Sequence, residues 1–297
     1  MRRILLILVL ILAGVFAVLS FLDRSEYALE KNFWYLKKDF AKLAHDPKSY
    51  PEQEFKALAR EYDQLLEAHP ESRLAGKILI QKGMVYVLMK DSEKARETFR
   101  EILARFPDEG PLNAEALFQI GKTYEQEGKS KEAVQMFRTA SERYPLTLTG
   151  LKMPLYEANY YQRIGKPDKM QVAFDRAVDF YQNIHEEHAD TRIGYMALNY
   201  QVTAYLAQER WSESLNVLER ILMIYPRVHQ STDPQGPLLV RTINQVALEQ
   251  AKDSGRAIEI YRKFIHQYPQ HPFTPGFEKL IEKIQQRQQT DQGQDGE

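Results

Sequence analysis

The densest cluster of side chains able to bind a metal or move a proton is His185-Glu186-Glu187-His188. On a helix, two imidazoles one turn apart could share a cation. The spacing is not that of a zinc-protease helix, in which five residues run from one histidine to the next. The competing reading, a solvated helix end leading into a loop, is preferred because the other histidines are scattered. The chain has no cysteine, which excludes disulfides, thiolate ligands, thiol catalysis and a lipid-modified N-terminal cysteine. No GxxxxGK[ST] phosphate loop, GxSxG elbow or GxGxxG turn occurs. Carboxylates are plentiful but alternate with bases, as in Asp91-Ser92-Glu93-Lys94-Ala95-Arg96, a pattern of solvation and intrahelical pairing. The expectation is a non-catalytic protein, with no cofactor and no metal. A formal net charge of −1 gives no electrostatic case for nucleic acid.

Two kinds of element remain to explain the chain. The first is an uninterrupted apolar run, Ile4 to Leu22, preceded by Arg2 and Arg3. Its 19 residues hold no charge and fifteen are Leu, Ile, Val or Phe. As a helix it would be roughly 28 Å long at 1.5 Å per residue, close to a hydrocarbon core of about 30 Å. Insertion is favoured by several kcal/mol, at about −0.3 to −0.6 kcal/mol per large apolar residue. This predicts a short cytoplasmic N-terminus (1–3) and a transmembrane signal-anchor helix (4–22). A cleaved signal peptide is the alternative, but its best cleavage site, Val18-Leu19-Ser20, is poor. The arginines place the bulk of the chain outside the cytoplasm, whereas Arg24, Lys31, Lys37, Lys38 and Lys42 beyond the run argue the other way.

The second element is a repeat. An aromatic residue before proline recurs at Phe106-Pro107, Tyr144-Pro145, Tyr225-Pro226 and Tyr268-Pro269, with His69-Pro70 as a variant. Taking the missing stop near Gln182–Asn183 into account, six units fill the chain to Pro269. Counted from Gly83, the residues Tyr86, Ala95, Phe99 and Pro107 stand at offsets 3, 12, 16 and 24, and Gly121, Tyr124, Ala133, Phe137 and Pro145 reproduce them. Glycine or alanine lets two antiparallel helices approach, aromatics fill the space between pairs, and proline stops the second helix. The fourth unit keeps Ala158, Tyr161, Phe174 and Ala177. The fifth has Val202 and Ser214 at the small positions, and the sixth has Gln245 where glycine is expected. Gly128 suits the left-handed residue of a helix–helix turn. Tyr144–Pro154 and Arg227–Pro237 are expected loops, a capping helix is expected over 273–287, and the polar tail 288–297 is expected to be disordered.

These repeats resemble the tetratricopeptide (TPR) family. The resemblance implies an all-α, right-handed superhelical solenoid of about six helix pairs over 26–272. It also implies a concave groove lined by first-helix residues, which here are Phe118, Lys122, Glu125, Asn159, Gln162, Asn199 and Thr203. Asparagine amides in such a groove can bond both backbone groups of an extended peptide. The second unit offers Ile80, Met84 and Val87 instead. Tyr261–Pro269 is also similar to repeats of bacterial cell-envelope TPR proteins of the outer-membrane assembly lipoprotein and Tol–Pal-associated types, although no lipobox cysteine is present. Together these readings predict a scaffold in the inner membrane, its repeats on the periplasmic side, holding unidentified protein or peptide partners. A secreted soluble form, a reversed topology and a groove-type small-ligand receptor or enzyme are the alternatives.

Overall fold

A computed structural model describes the backbone of residues 2–228 and 235–294, and the side chains at 11, 12, 14, 26–226 and 236–289. Among the described residues every regular element is helical. In chain order they are α1 (Arg2–His45), α2 (Glu52–Ala68), α3 (Ala75–Leu88), α4 (Ser92–Arg105), α5 (Gly110–Gln126) and α6 (Ser130–Arg143). Then follow α7 (Leu148–Arg163), α8 (Pro167–Glu187), α9 (Arg192–Ala207), α10 (Trp211–Val228), α11 (Gln235–Asn244), α12 (Ser254–Gln267) and α13 (Thr274–Gln294). The chain divides into two compact units, Met1–Gly150 and Leu151–Glu297.

Unit 1 is three antiparallel helix pairs, α1/α2, α3/α4 and α5/α6, and its close packing follows the repeat offsets. A Cβ built on Gly83 would overlap the Phe99 ring, and one on Gly121 would overlap the Phe137 ring, with Cε1 nearest in both. Phe99, Phe137, Ala95 and Ala133 are fully buried. The missing methyl is therefore what lets the helices of each pair close over a phenylalanine. The helix stop works as expected too: α4 and α6 are each 14 residues and end one residue before Phe106-Pro107 and Tyr144-Pro145.

The backbone carries the register into the copies whose side chains have drifted. All five described residues with φ between 52° and 72° are Lys90, Gly128, Gly165, Glu209 and Lys252. Each stands seven residues after its unit's close-packing position, at Gly83, Gly121, Ala158, Val202 and Gln245. The left-handed turn is thus common to five repeats, although only two use the glycine that adopts it without strain. Asp91 and Asp253 then cap the next helix in two of them, accepting from the Lys94 and Arg256 backbone N–H at 3.2 and 2.9 Å.

Unit 2 keeps that turn but departs elsewhere. The expected loop Tyr144–Pro154 shrinks to four residues, because α7 begins at Leu148 and carries Pro154 within it. Proline cannot donate to the carbonyl four residues back, and the ladder opens beside it. Tyr181, fully buried on α8, donates its hydroxyl to the Leu151 carbonyl at 2.9 Å and accepts from the Leu155 backbone N–H. With no proline near Gln182, α8 runs for 21 residues. Pro226, expected as a stop, lies inside α10, which continues to Val228, and residues 229–234 of the expected Arg227–Pro237 loop lie outside the described residues.

The sixth repeat shows why Gln245 tolerates its register position. A π-helical turn over Gln245–Gln250 takes up one extra residue. Before it, Ile243 rather than Asn244 is buried where Ile120 is buried in the third repeat, and Gln245 faces solvent. Finally, α13 covers α12 through Phe277, Ile281 and Ile284. It extends seven residues beyond the expected end at Arg287, helped by a 2.5 Å bond from the Gln288 amide to Ser254 Oγ, and 295–297 lie outside the described residues.

The apolar run enters the fold through α1. That helix is continuous for 44 residues, so Ile4–Leu22 and the first helix of the repeat array are one element with no linker. From Leu29 onward it is part of unit 1, burying Leu29, Phe33, Leu36 and Leu43 with α2 and α3. Arg73, in the α2–α3 turn, clamps Glu26 and Glu30 at 2.6 Å each. Most side chains of 4–22 lie outside the described residues, and with them the membrane-spanning expectation. Among the described residues no helix is long and apolar enough to cross a membrane. Ile11 and Leu12, which are described, are 59% and 61% exposed.

Candidate functional site

A concavity of unit 1 lies along its first helices. Phe33 and Lys37 from α1, Lys77, Ile80 and Gln81 from α3, and Pro111, Leu112 and Glu115 from α5 enclose about 430 Å³. It forms because each first helix has two inward-turned stripes. One carries the core residues that meet the second helix, and the other lies a quarter-turn away and faces the groove. In α1 the same Phe33 that is buried against the Tyr62 ring, at 6.4 Å, also forms part of the groove floor. Ile80 and Leu112 are half-buried beside it.

The floor is apolar and the rim is charged. Lys37 and Lys77 are exposed, and among the described residues neither ammonium meets a carboxylate. Lys37 lies over the Phe33 ring at 5.8 Å, a position that keeps its stem on the apolar floor and its charge in water. Glu115 faces them from α5, held by the Gln119 amide at 2.7 Å and the Thr149 hydroxyl at 3.0 Å. A second concavity of about 450 Å³ adjoins it, with Lys77, Glu109 and Leu112 common to both and the paired Glu30 and Arg73 beyond them. Such a strip can hold an extended or helical peptide by apolar side chains and orient it by charge.

The expected groove residues are distributed over both units. Phe118 is half-buried with its ring 6.1 Å from that of Phe137, so it extends the core as well as the α5 face. Lys122 bonds Glu125 at 3.0 Å on the next turn. These three, with Ile80, Met84 and Val87, continue the unit 1 strip along α5 and α3. Asn159 is half-buried and Gln162 exposed on α7. On α9, Asn199 is exposed but its amide donates to its own helix at the Tyr195 carbonyl, 2.8 Å away, and Thr203 does the same to the Asn199 carbonyl at 3.0 Å. Lys37, Lys77, Leu112 and Glu115 were not picked out by sequence. Lys77 and Glu115 share offset −6 in the two regular repeats, so the register extended by one turn would have found them.

The histidine pair does not form a site. His185 is buried on α8 rather than solvated, while His188 is the residue that ends the helix. Burial, with the nearby Arg220 charge, lowers the His185 pKa, and its Nδ1 has no partner among the described residues. Beside it Gln182 Oε1 accepts from Gln201 at 3.3 Å and Arg220 at 3.0 Å, which makes this a buried polar cluster of the core. Among the described residues no group of three or more His, Asp or Glu is placed to hold a metal. The other conspicuous charge cluster, Glu219 on α10 with Lys263 and Arg256 (2.5 Å) on α12, joins two helices. Burial opposes its ionisation, but these two cations hold its carboxyl below the usual range.

Residues 62–145 and 246–271 match the tetratricopeptide repeat. The first match contains both repeats that keep all five offsets, and the second contains the π-turn and α12. No curated protein shows detectable sequence similarity to the chain. Among solved structures, BtubC (BKLC) of P. vanneervenii is 14% identical over 79% of this chain and 91% of its own, with a TM-score of 0.43. Pseudomonas aeruginosa pilF is 14% identical over 84% and 97%, with a TM-score of 0.37. A tetratricopeptide repeat protein of Parabacteroides merdae ATCC 43184 is 10% identical over 86% and 99%, with a TM-score of 0.36.

Proposed function

We propose that this tetratricopeptide-repeat chain is a non-catalytic scaffold of the bacterial cell envelope, anchored by residues 4–22 in the inner membrane with its repeats on the periplasmic side. Its partners are proteins held in the groove of unit 1. The observation that carries this reading is the strip with an apolar floor at Phe33, Ile80 and Leu112 and a charged rim, Lys37 and Lys77 outside any ion pair among the described residues and Glu109 and Glu115 beside them. Burying an apolar peptide side chain there contributes about 25 cal/mol per Å² before ordering costs are deducted. The anchor is supported by fifteen large apolar residues in an uncharged run and by Ile11 and Leu12 standing in the open, where water is their least favourable surrounding.

Two measurements test the two halves separately. Full-length protein should stay with membranes through an alkaline carbonate wash while a chain starting at residue 23 is released; release of both removes the anchor. Partners co-purified from detergent-solubilised membranes should fall about tenfold for Ile80→Asp or Lys77→Glu, a loss of roughly 1.4 kcal/mol. Undiminished recovery from both variants, with helical content preserved, would place the binding face elsewhere.

A further inference from the structure

The helix that carries the apolar run also forms one wall of the groove. Phe33 and Lys37 lie 11 and 15 residues beyond Leu22 on the unbroken α1. At 1.5 Å per residue they stand about 17 and 23 Å further along the axis. The headgroup layer occupies only about 5–8 Å of that distance. Between the run and the groove the described backbone is one continuous helix. Leu29, seven residues past Leu22, is already in the unit 1 core, and Arg73 pairs with Glu26 and Glu30 on the turns around it. If the run spans a bilayer, the groove is held at a set height just outside the headgroups.

A chain leaving the same bilayer covers 17–23 Å with about five to seven extended residues at 3.3–3.6 Å each. We infer that the unit 1 groove takes the membrane-proximal segment of a second protein anchored in the same membrane, an extended stretch of apolar residues flanked by acidic ones. The apolar residues meet Phe33, Ile80 and Leu112, and the acidic ones meet Lys37 and Lys77, whose ammonium groups are in no ion pair among the described residues although Glu109 and Glu115 line the same concavity. The inference rests on the anchor and groove reading given above and adds to it the partner's location and chemistry. Its energetic logic is effective concentration. Two segments tethered at matched heights in one bilayer meet at concentrations of roughly millimolar order, so a weak groove suffices. A flexible or distant tether would forfeit that advantage.

The absence of cysteine lets a single fluorophore be placed at Gln81→Cys without competing thiols. The full chain is reconstituted into vesicles of phosphatidylcholine and phosphatidylglycerol and titrated with a synthetic Asp/Leu peptide. The peptide is supplied either free or joined to a lipid through about six residues. The lipid-joined probe should half-saturate at a concentration at least tenfold lower than the free one. A flexible Gly/Ser insertion after Leu22 should erase that ratio and leave free-peptide binding unchanged, and Lys77→Glu should weaken both probes. Equal binding of the two probes, an insertion without effect, or no response to either probe overturns the inference. Vesicle flotation separates this from failure of the anchor: a chain that does not float removes the anchor itself, whereas one that floats but shows no tethered advantage removes only the height-matched partner.

Discussion

Units 1 and 2 bend the backbone at the same place but pack the helices around that bend by different means. In unit 1 that bend falls on Lys90 and Gly128, and the helix contact rests on residue size: Gly83 over Phe99, Gly121 over Phe137, with a proline after each second helix. In unit 2 the left-handed turn recurs at Gly165, Glu209 and Lys252, yet the glycine–phenylalanine pairs are gone. Their work passes to a tyrosine hydroxyl inserted beside Pro154, a buried carboxylate between two cations, and a π-turn that absorbs one extra residue. The difference teaches that the repeat is specified by backbone geometry at one position per unit. Side chains on either side can be exchanged where the buried polar groups they bring find partners, as Tyr181 and Glu219 do.

The largest expected effect tests the size-based half. Phe99→Ala removes a fully buried ring that the glycine opposite cannot replace, and should cost about 3–5 kcal/mol in urea unfolding. Tyr181→Phe in unit 2 keeps the ring but removes the hydroxyl's hydrogen bonds at Leu151 and Leu155, for about 0.5–1.5 kcal/mol. If Tyr181→Phe costs nothing, the polar half of the comparison fails.

The units should also part company in mild acid. Burial lowers the pKa of His185 and of His271, both in unit 2. Protonation would bury a charge at His185 and would cancel the acceptor that His271 Nδ1 offers the Phe273 N–H at 3.2 Å. With folded values below the ordinary 6.5, the unfolded chain takes up protons first. Stability is therefore full above about pH 7, declines as pH falls through 6.5, and levels off below the lowered values. His185→Gln with His271→Gln should flatten that decline in pH-dependent thermal unfolding, and an unchanged slope would exclude the pair as its source. In unit 1, hydrogen bonds from Lys129 and Arg96 bring Glu127 down to about 2, so its contribution is present above 4.5 and lost as pH falls through about 2. Being solvent-screened, it is small.

The smallest effect is stabilising. Lys90, Glu209 and Lys252 hold φ of 60°, 55° and 52° where two other repeats use glycine. Replacing each by glycine relieves the left-handed strain at some cost in unfolded-chain entropy, for a net gain of roughly 0.5–1 kcal/mol each. A loss of stability would mean that these turns are not strained.

These particulars show what sequence carries and what it hides. Gly83/Phe99 and Gly121/Phe137 were legible because close packing leaves few residue choices. Lys90, Glu209 and Lys252 were not, since nothing in a lysine or glutamate announces a positive φ. Pro154 and Pro226 read as loop and stop signals, but proline's φ is helical and it forfeits only one bond, which a neighbour can make good. His185 reads as solvated because the groups that meet it, the Gly194 backbone on α9 and Arg220 on α10, lie further along the chain. The sequence shows Lys37 only as a charge flanking the apolar run and does not single out Lys77, because the groove brings together residues forty positions apart, a relation that only the packed helices display.

The most direct test of the central claim, that partners are held by the inner face of unit 1, is site-specific photocrosslinking of the full-length chain in native membranes. A photoreactive residue at Ile80 is compared with one at Asn199, and the attached peptides are mapped. The account predicts that Ile80 captures a defined partner segment, lost when Lys37 and Lys77 are both changed to glutamate, while Asn199 captures none of it. Capture of that segment from Asn199 with Ile80 silent would contradict it.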